Sequence, residues 1–238
     1  MDFTIIIVVA VFAVVQSIFG MGLLVFGTPT LLLLGYPFSD VLSILLPPSL
    51  TISAIQVLRQ GGHQKQFAVS LVKYCLPVLA VSLCWALISK QKLNLHYVIA
   101  GVLLFTALSR YLVSVSSVLS RFIEKNSRKY LVVMGFVHGM TNMGGSLLSA
   151  YAVTRYQLKN EVLGCVVTAY LLFGVVQLGT LKFANALTVN YATLLSCAVA
   201  AFVFMIIGSR IYSKINDGFY QKVFSAFMLI YAVLLIVR

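Results

Sequence analysis

Charge is what this chain has least of. Asp and Glu together supply five residues of 238, and all charged types make up 9%. A soluble domain carries about 25%, so there is too little polar surface here to keep a folded chain in water. The four cysteines, Cys75, Cys84, Cys165 and Cys197, stand apart inside apolar runs without a C-x-x-C pair. That spacing argues against a disulfide framework or a zinc site and for buried structural thiols. Three dispersed histidines and the lack of a glycine-rich phosphate loop with its lysine give no enzyme, metal or cofactor signature. We therefore expect no enzyme activity, no metal and no cofactor. The excess of basic over acidic residues, +12, lies in short loops between apolar runs. Lipid anchoring accounts for that placement, and nucleic acid is not an expected partner.

What the chain does have is hydrophobicity. Apolar types make up 61% and the mean hydropathy is +1.03. Apolar runs fall at roughly 3–34, 40–58, 66–89, 95–119, 130–154, 160–181, 188–209 and 217–237. Each is near or above the roughly 20 residues that cross a bilayer. The expected fold class is an all-α, polytopic membrane protein with no separate soluble domain. The N-terminal run has no basic n-region and reads as a first membrane segment rather than a removed signal peptide. Ser39 and Asn160 are the expected N-caps of the segments they precede, and Asn216 or Asp217 that of the last one.

The eight runs divide into two sets of four. Laying "VVQSIFGMGLLVFGTP" (14–29) on "FVHGMTNMGGSLLSAY" (136–151) with an offset of 122 puts Gln16 on His138, Met21 on Met143 and Gly22 on Gly144. After a one-residue gap, Asp40 falls on Glu161 and Gln56 on Gln177. This defines a first repeat over 1–120, a basic cytoplasmic connector over 121–129 and a second repeat over 130–238.

Run 3–34 would be about 48 Å long as one helix at roughly 1.5 Å per residue, against a hydrocarbon core of about 30 Å. With Gly20-Met21-Gly22 near its centre, it is expected to fold as a re-entrant hairpin, and run 130–154 to do the same around Asn142–Gly145. Loop charges favour this. With hairpins, Arg59, Lys65, Arg121, Lys125, Arg128, Lys129, Arg155, Lys159, Arg210 and Lys214 share one side, and Lys90, Lys92, Lys182 and Arg238 the other. That asymmetry fits the preference of loop lysines and arginines for the cytoplasm. Each half then crosses three times, so the second is inverted relative to the first, a transporter architecture with its site near the midplane.

The motifs "FGMGLLVFGTPTLLLLGYP" and "TNMGGSLLSAYAV", with an acidic residue opening the next segment and "CVVTAY" in the second copy, resemble the sulfite exporter TauE/SafE family of membrane permeases over nearly the whole chain. The family's three consecutive glycines are reduced here to Gly20 and Gly22 in one copy and Gly144 and Gly145 in the other. Pro29 has Tyr151 at its partner position, and Thr168 has Pro47. The resemblance implies transport of sulfite, thiosulfate or an organosulfonate such as sulfoacetate or isethionate.

Independently of the resemblance, a helix that starts inside the membrane leaves about four amide N–H groups unpaired and carries about half a positive charge. Glycine lets an anion approach such an end closely. The expected substrate-binding set is Gln16, Gly20, Gly22, Thr28, Gln56, His138, Thr141, Asn142, Gly144, Gly145, Ser146, Thr168, Tyr170 and Gln177. His138 is the one mid-membrane group that titrates near neutral pH and hence the candidate for proton coupling. Packing by the small residues, helix-joining glutamines and a satisfied core histidine are the competing readings. Asp40 and Glu161 read as helix N-terminal charge partners. The expected function is a secondary transporter of a small anion in the cytoplasmic membrane of a prokaryote, with an anion channel or a non-transporting scaffold as alternatives. The expected partners are the small anion and the lipid bilayer. The sequence leaves direction, proton coupling, the role of Pro47-Pro48 and oligomeric state open, a homodimer among the options.

Overall fold

A computed structural model describes residues 3–60, 65–89, 99–102, 104–105 and 112–208, with single helical residues at 230, 233 and 237. Among the described residues the regular structure is all helical. The first half contains α1 (Phe3–Phe19), α2 (Leu23–Leu33), α3 (Phe38–Gln60) and α4 (Lys65–Ser70). A π-helical turn at Leu71–Cys75 joins α4 to α5 (Leu76–Ile88). Then come α6 (Val113–Lys125), α7 (Ser127–Thr141), α8 (Gly145–Arg155), α9 (Lys159–Phe183) and α10 (Tyr191–Val203), which ends in a second π turn at Phe204–Gly208. Four stretches are long and apolar enough to cross a membrane: Phe38–Arg59, Lys65–Ile88, Asn160–Phe183 and Tyr191–Gly208. Their outward residues are oily, with Val81 71%, Leu58 83% and Phe183 84% exposed. In water such a surface would aggregate; in lipid it is solvated. The protein is a multi-pass membrane protein. Most of the run at 217–237 and residues 95–98, 103 and 106–111 of the run at 95–119 lie outside the described residues, as do Asn216 and Asp217.

Both long runs break where the glycines stand, and both fold back. α1 ends at Gly20, whose φ of +71° suits glycine; its N–H donates to Gln16 O at 2.8 Å. The rings of Phe12 and Phe26 then lie 6.0 Å apart. On a continuous helix those fourteen positions would span about 21 Å. In the second half Asn142, with φ +60°, closes α7, and its N–H donates to His138 O at 2.8 Å. Tyr130 Oη donates to Leu147 O at 2.7 Å, and Ser127 Oγ lies 3.2 Å from Tyr151 Oη. The two corners close with the same backbone bond. The offset of 122 carries Gly20 onto Asn142 and the acceptor Gln16 onto the acceptor His138.

α3 and α9 form the centre and run in opposite directions. Ser43, early in α3, bonds Ala186 O (3.3 Å) and Thr188 N (3.2 Å) just past α9, while a Cβ on Gly174 in mid-α9 would meet Leu50. α10 packs on α3 and α1, and α5 on α9 and α7. Exchanging the two halves leaves that contact pattern unchanged. The α5–α7 seam uses Gly135 and Gly139, one turn apart; a Cβ on either would strike the α5 span, at the Cys75 carbonyl and at Ser82 respectively. The packing reading of Gly139 therefore holds, because only small residues let two helices approach this closely.

Some boundaries differ from the sequence expectation. α9 starts at Lys159 with Leu158 as its N-cap and no side-chain cap, so Asn160 stands inside the helix. α3 starts at Phe38, which places Ser39 in its first turn. The side-chain cap that does form is at α10, where Asn190 and Thr193 make a reciprocal capping box. Residues 121–125 complete α6, with Ile123 buried, and Asn126 alone separates α6 from α7. The connector is thus helical, since its apolar residues continue the face of the preceding helix. Asp40 and Glu161 both fall in first turns, as the charge-partner reading requires.

Candidate functional site

The two hairpin tips meet inside the protein. A Cβ on Gly145, the first residue of α8, would reach Val25 Cγ2 in the first turn of α2, at 2.6 Å, and would overlap the Tyr170 hydroxyl. Asn142 Nδ2 donates to Thr28 Oγ1 at 2.8 Å. The starts of two helices and the polar corner of the second hairpin are thereby brought together. Thr28, His138, Asn142, Ser146 and Gln177 are all fully buried there. Among the described residues no Asp, Glu, Lys or Arg is buried, and no three of His, Cys, Asp and Glu are grouped as a metal site would require.

Around this junction the chain's own side chains terminate the helices. Gln16 Oε1 accepts from Leu23 N–H (3.2 Å) and Ser49 Oγ–H (3.1 Å), and its amide donates to Ser49 O (2.8 Å) and Ser53 Oγ (3.2 Å). His138 Nδ1 accepts from Gly144 N–H at 3.1 Å. The two residues that the 122-residue offset aligns thus do one job: each sits near the end of a first helix and receives an N–H at the start of the second. Gln56 and Gln177 are paired likewise. Gln56 Nε2 donates to Ser17 O (3.1 Å) and Gln16 O (3.4 Å), bracing the α1 corner. Gln177 Nε2 donates to Asn142 Oδ1 (3.1 Å), bracing the α7 corner.

The remaining expected residues divide. Gly22 and Gly144 hold their chains against Gln16 and His138, where a Cβ would stand 2.5 Å from Gln16 N and from His138 Cβ. Gly20 rests against Val167, Leu163 and Val166 on α9. Thr141 Oγ1 donates to Val137 O (2.7 Å) and accepts from Met143 N–H (3.1 Å), and Ser146 Oγ donates to Met143 O (3.0 Å). Tyr170 is buried, and its ring stands at 64° to that of His138, at 6.3 Å between centroids. Thr168 does not join them. It is only half-buried, and at about 100° per residue it faces away from Tyr170 and Gln177 on α9.

Three participants escaped the sequence reading. Ser49 and Ser53 share one face of α3 with Gln56 and complete the Gln16 amide. Phe173 lies tilted against His138, 4.3 Å between centroids, on the face that carries Tyr170 and Gln177. The spacings 49/53/56 and 170/173/177 were the available signal, each placing three residues on one helix face.

Polar corners, matched caps and tip-to-tip contact all fall at the positions that carried the family resemblance. The chain matches no curated protein and no solved structure. Its sequence does match the family described as sulfite exporter TauE/SafE, over residues 5–235. The chain belongs to the sulfite exporter TauE/SafE family, and with it to the membrane permeases of sulfur-containing anions.

Proposed function

We propose that this permease carries a small sulfur oxyanion (sulfite, thiosulfate or an organosulfonate such as sulfoacetate or isethionate) across a prokaryotic cytoplasmic membrane by alternating access. The substrate is held where the starts of α2 and α8 meet. The observation that carries this reading is that contact itself: Gly145 against Val25, and Asn142 on Thr28, in a fully buried site to which the described residues bring no charged side chain. Each helix start contributes about half a positive charge in a low-dielectric surrounding. That attracts an anion without the strong hold of a buried arginine, so release remains fast. Thr28, Asn142, Ser146, Tyr170 and the glycines line the site, while Gln16, Gln56 and Thr141 act one step back by holding the helix ends in place.

The antiparallel course of α3 and α9 and the exchangeable packing support two halves inserted upside down to one another, with the hairpins entering from opposite faces. Rocking one half on the other would then open the buried junction to each side in turn. In proteoliposomes, purified protein is expected to give saturable sulfite flux with counterflow. Flux that rises linearly with concentration and carries large currents would replace the carrier by a channel; no flux of any of these anions would leave a scaffold.

A further inference from the structure

Away from the anion junction, the outer surface of the α5–α7 seam joins positive charge to a bare apolar groove. The two helices lie side by side and run in the same direction: a Cβ on Gly135 would meet the Cys75 carbonyl, and one on Gly139 would meet Leu79 and Ser82. At the start of this seam two cations stand around one aromatic ring. Lys73 Nζ lies 5.5 Å and Arg128 Cζ 5.6 Å from the centroid of Tyr74, within reach of cation–π attraction. Lys73 and Tyr74 are carried by the π turn Leu71–Cys75, a distortion that is frequent at functional sites. Among the described residues neither cation is ion-paired with a carboxylate, although Glu124 stands near the end of α6. Two like charges held around one ring repel, and an anion beside them relieves that repulsion.

From there the groove runs toward the middle of the membrane. Pro77, Val81 and Trp85 follow Lys73 at four-residue steps, and Val132 and Phe136 follow Arg128, all of them exposed. Pro77, Val81, Trp85 and Phe136 border a cavity of about 350 Å³. Ser82 also lines it, but Ser82 Oγ donates to Leu79 O at 3.1 Å, and the wall presented to an occupant is apolar. From Lys73 to Trp85 the stripe is about 18 Å long at roughly 1.5 Å per residue. One leaflet of a hydrocarbon core of about 30 Å is about 15 Å deep.

We propose that this seam binds an anionic phospholipid, its phosphate held by Lys73 and Arg128 and an acyl chain laid along the groove past Val81 to Trp85. The charge at the head of the groove selects the occupant. A zwitterionic lipid brings its own cation against Lys73 and Arg128. A second copy of this chain, with Lys and Arg outnumbering Asp and Glu by 17 to 5, would set its own basic end on the same side of the membrane. Because α5 belongs to the first half and α7 to the second, the lipid bridges the two halves. The site is separate from the anion junction and does not depend on which anion is carried.

Trp85 is the only tryptophan in the chain and is 49% exposed, so its fluorescence reports the far end of the groove. The test reconstitutes the full-length protein in phosphatidylcholine vesicles containing increasing fractions of phosphatidylglycerol or, separately, phosphatidylcholine brominated in the acyl chains. Quenching of Trp85 by brominated phosphatidylglycerol is expected to reach its midpoint at a lower mole fraction, by about fivefold for each cation engaged. Lys73→Gln and Arg128→Gln, changes at exposed positions, should each remove about one such factor, and together they should bring the two curves into coincidence. Coincident curves in the wild-type protein overturn the proposal. So does a preference for phosphatidylglycerol that survives in the double variant, which would place the headgroup elsewhere. Trp85 shielded from both brominated lipids overturns it as well, and a cross-linked dimer in the same vesicles would then give the groove to a second copy.

Discussion

Gly22→Ala is expected to destabilise the fold sharply, seen as a reduced monodisperse peak and a lowered melting temperature when detergent extracts are run on a sizing column and heated. The added Cβ would stand 2.5 Å from Gln16 N, 2.9 Å from Phe12 O and 3.0 Å from Val15 C. All three are backbone atoms of α1, so no side-chain rotation relieves the overlap, and α1 and α2 must separate. Overpacking of this kind costs about 1–3 kcal/mol. Separation also breaks the Leu23 N–H bond to Gln16 Oε1, and a buried group left without a partner adds about 1–3 kcal/mol. Against a typical stability of about 5–15 kcal/mol, the first hairpin would no longer hold its corner. Gly179→Ala is the control. It makes the same chemical change inside α9, no atom lies within 4 Å of the new Cβ, and alanine favours a helix over glycine by about 1 kcal/mol. That variant should melt at or above the wild-type temperature. A Gly22→Ala protein as stable as wild type would mean that the two helices do not abut as described.

The second large effect is functional. Asn142→Gly should fold and yet lose most transport. Glycine accepts φ +60° without strain, so the corner survives. What disappears is the amide that receives Gln177 Nε2 on one side and reaches Thr28 on α2 on the other, at 3.1 and 2.8 Å. Leaving Gln177 unpaired costs about 1–3 kcal/mol; borne by the substrate-holding state, at about 1.4 kcal/mol per tenfold change, this predicts a drop in sulfite flux of roughly fivefold to a hundredfold. Asn142→Ala should be worse, because alanine in a left-handed conformation adds about 1–2 kcal/mol of strain. Thr168→Ala, on the far side of α9, should leave flux unchanged. Equal flux in all three variants would remove the α7 corner from the transport site.

The two fold-backs were legible in the sequence because they rest on length and on rare residues. A 32-residue run with glycines at its centre is too long to cross straight, and an offset of 122 aligns corner with corner. What could not be read was which polar side chains face a ligand and which serve the chain. Gln16 looks like a ligand donor, and in the fold it terminates α2 with the help of Ser49 and Ser53. A side chain's chemistry is local, whereas its partner lies 33 and 37 residues away, set by how α1 lies on α3. Thr168 shows the converse. The family resemblance placed it at the site, but helical phase turns it away from Tyr170 and Gln177. The extension of α6 through residues 121–125 was hidden because basic residues there resemble a loop, although Ile123 still packs inward. Nothing in the residue pattern distinguishes one sulfur oxyanion from another, since a neutral site built largely from backbone ends recognises charge and size before identity.

The most direct measurement is a crystal structure of the protein soaked with selenite, a heavier analogue of sulfite, with data collected at the selenium edge. An anomalous peak between the first turns of α2 and α8, beside Thr28 and Asn142, is the predicted result. A selenium site elsewhere in the protein, with those two helix ends still closed on one another, would contradict the account.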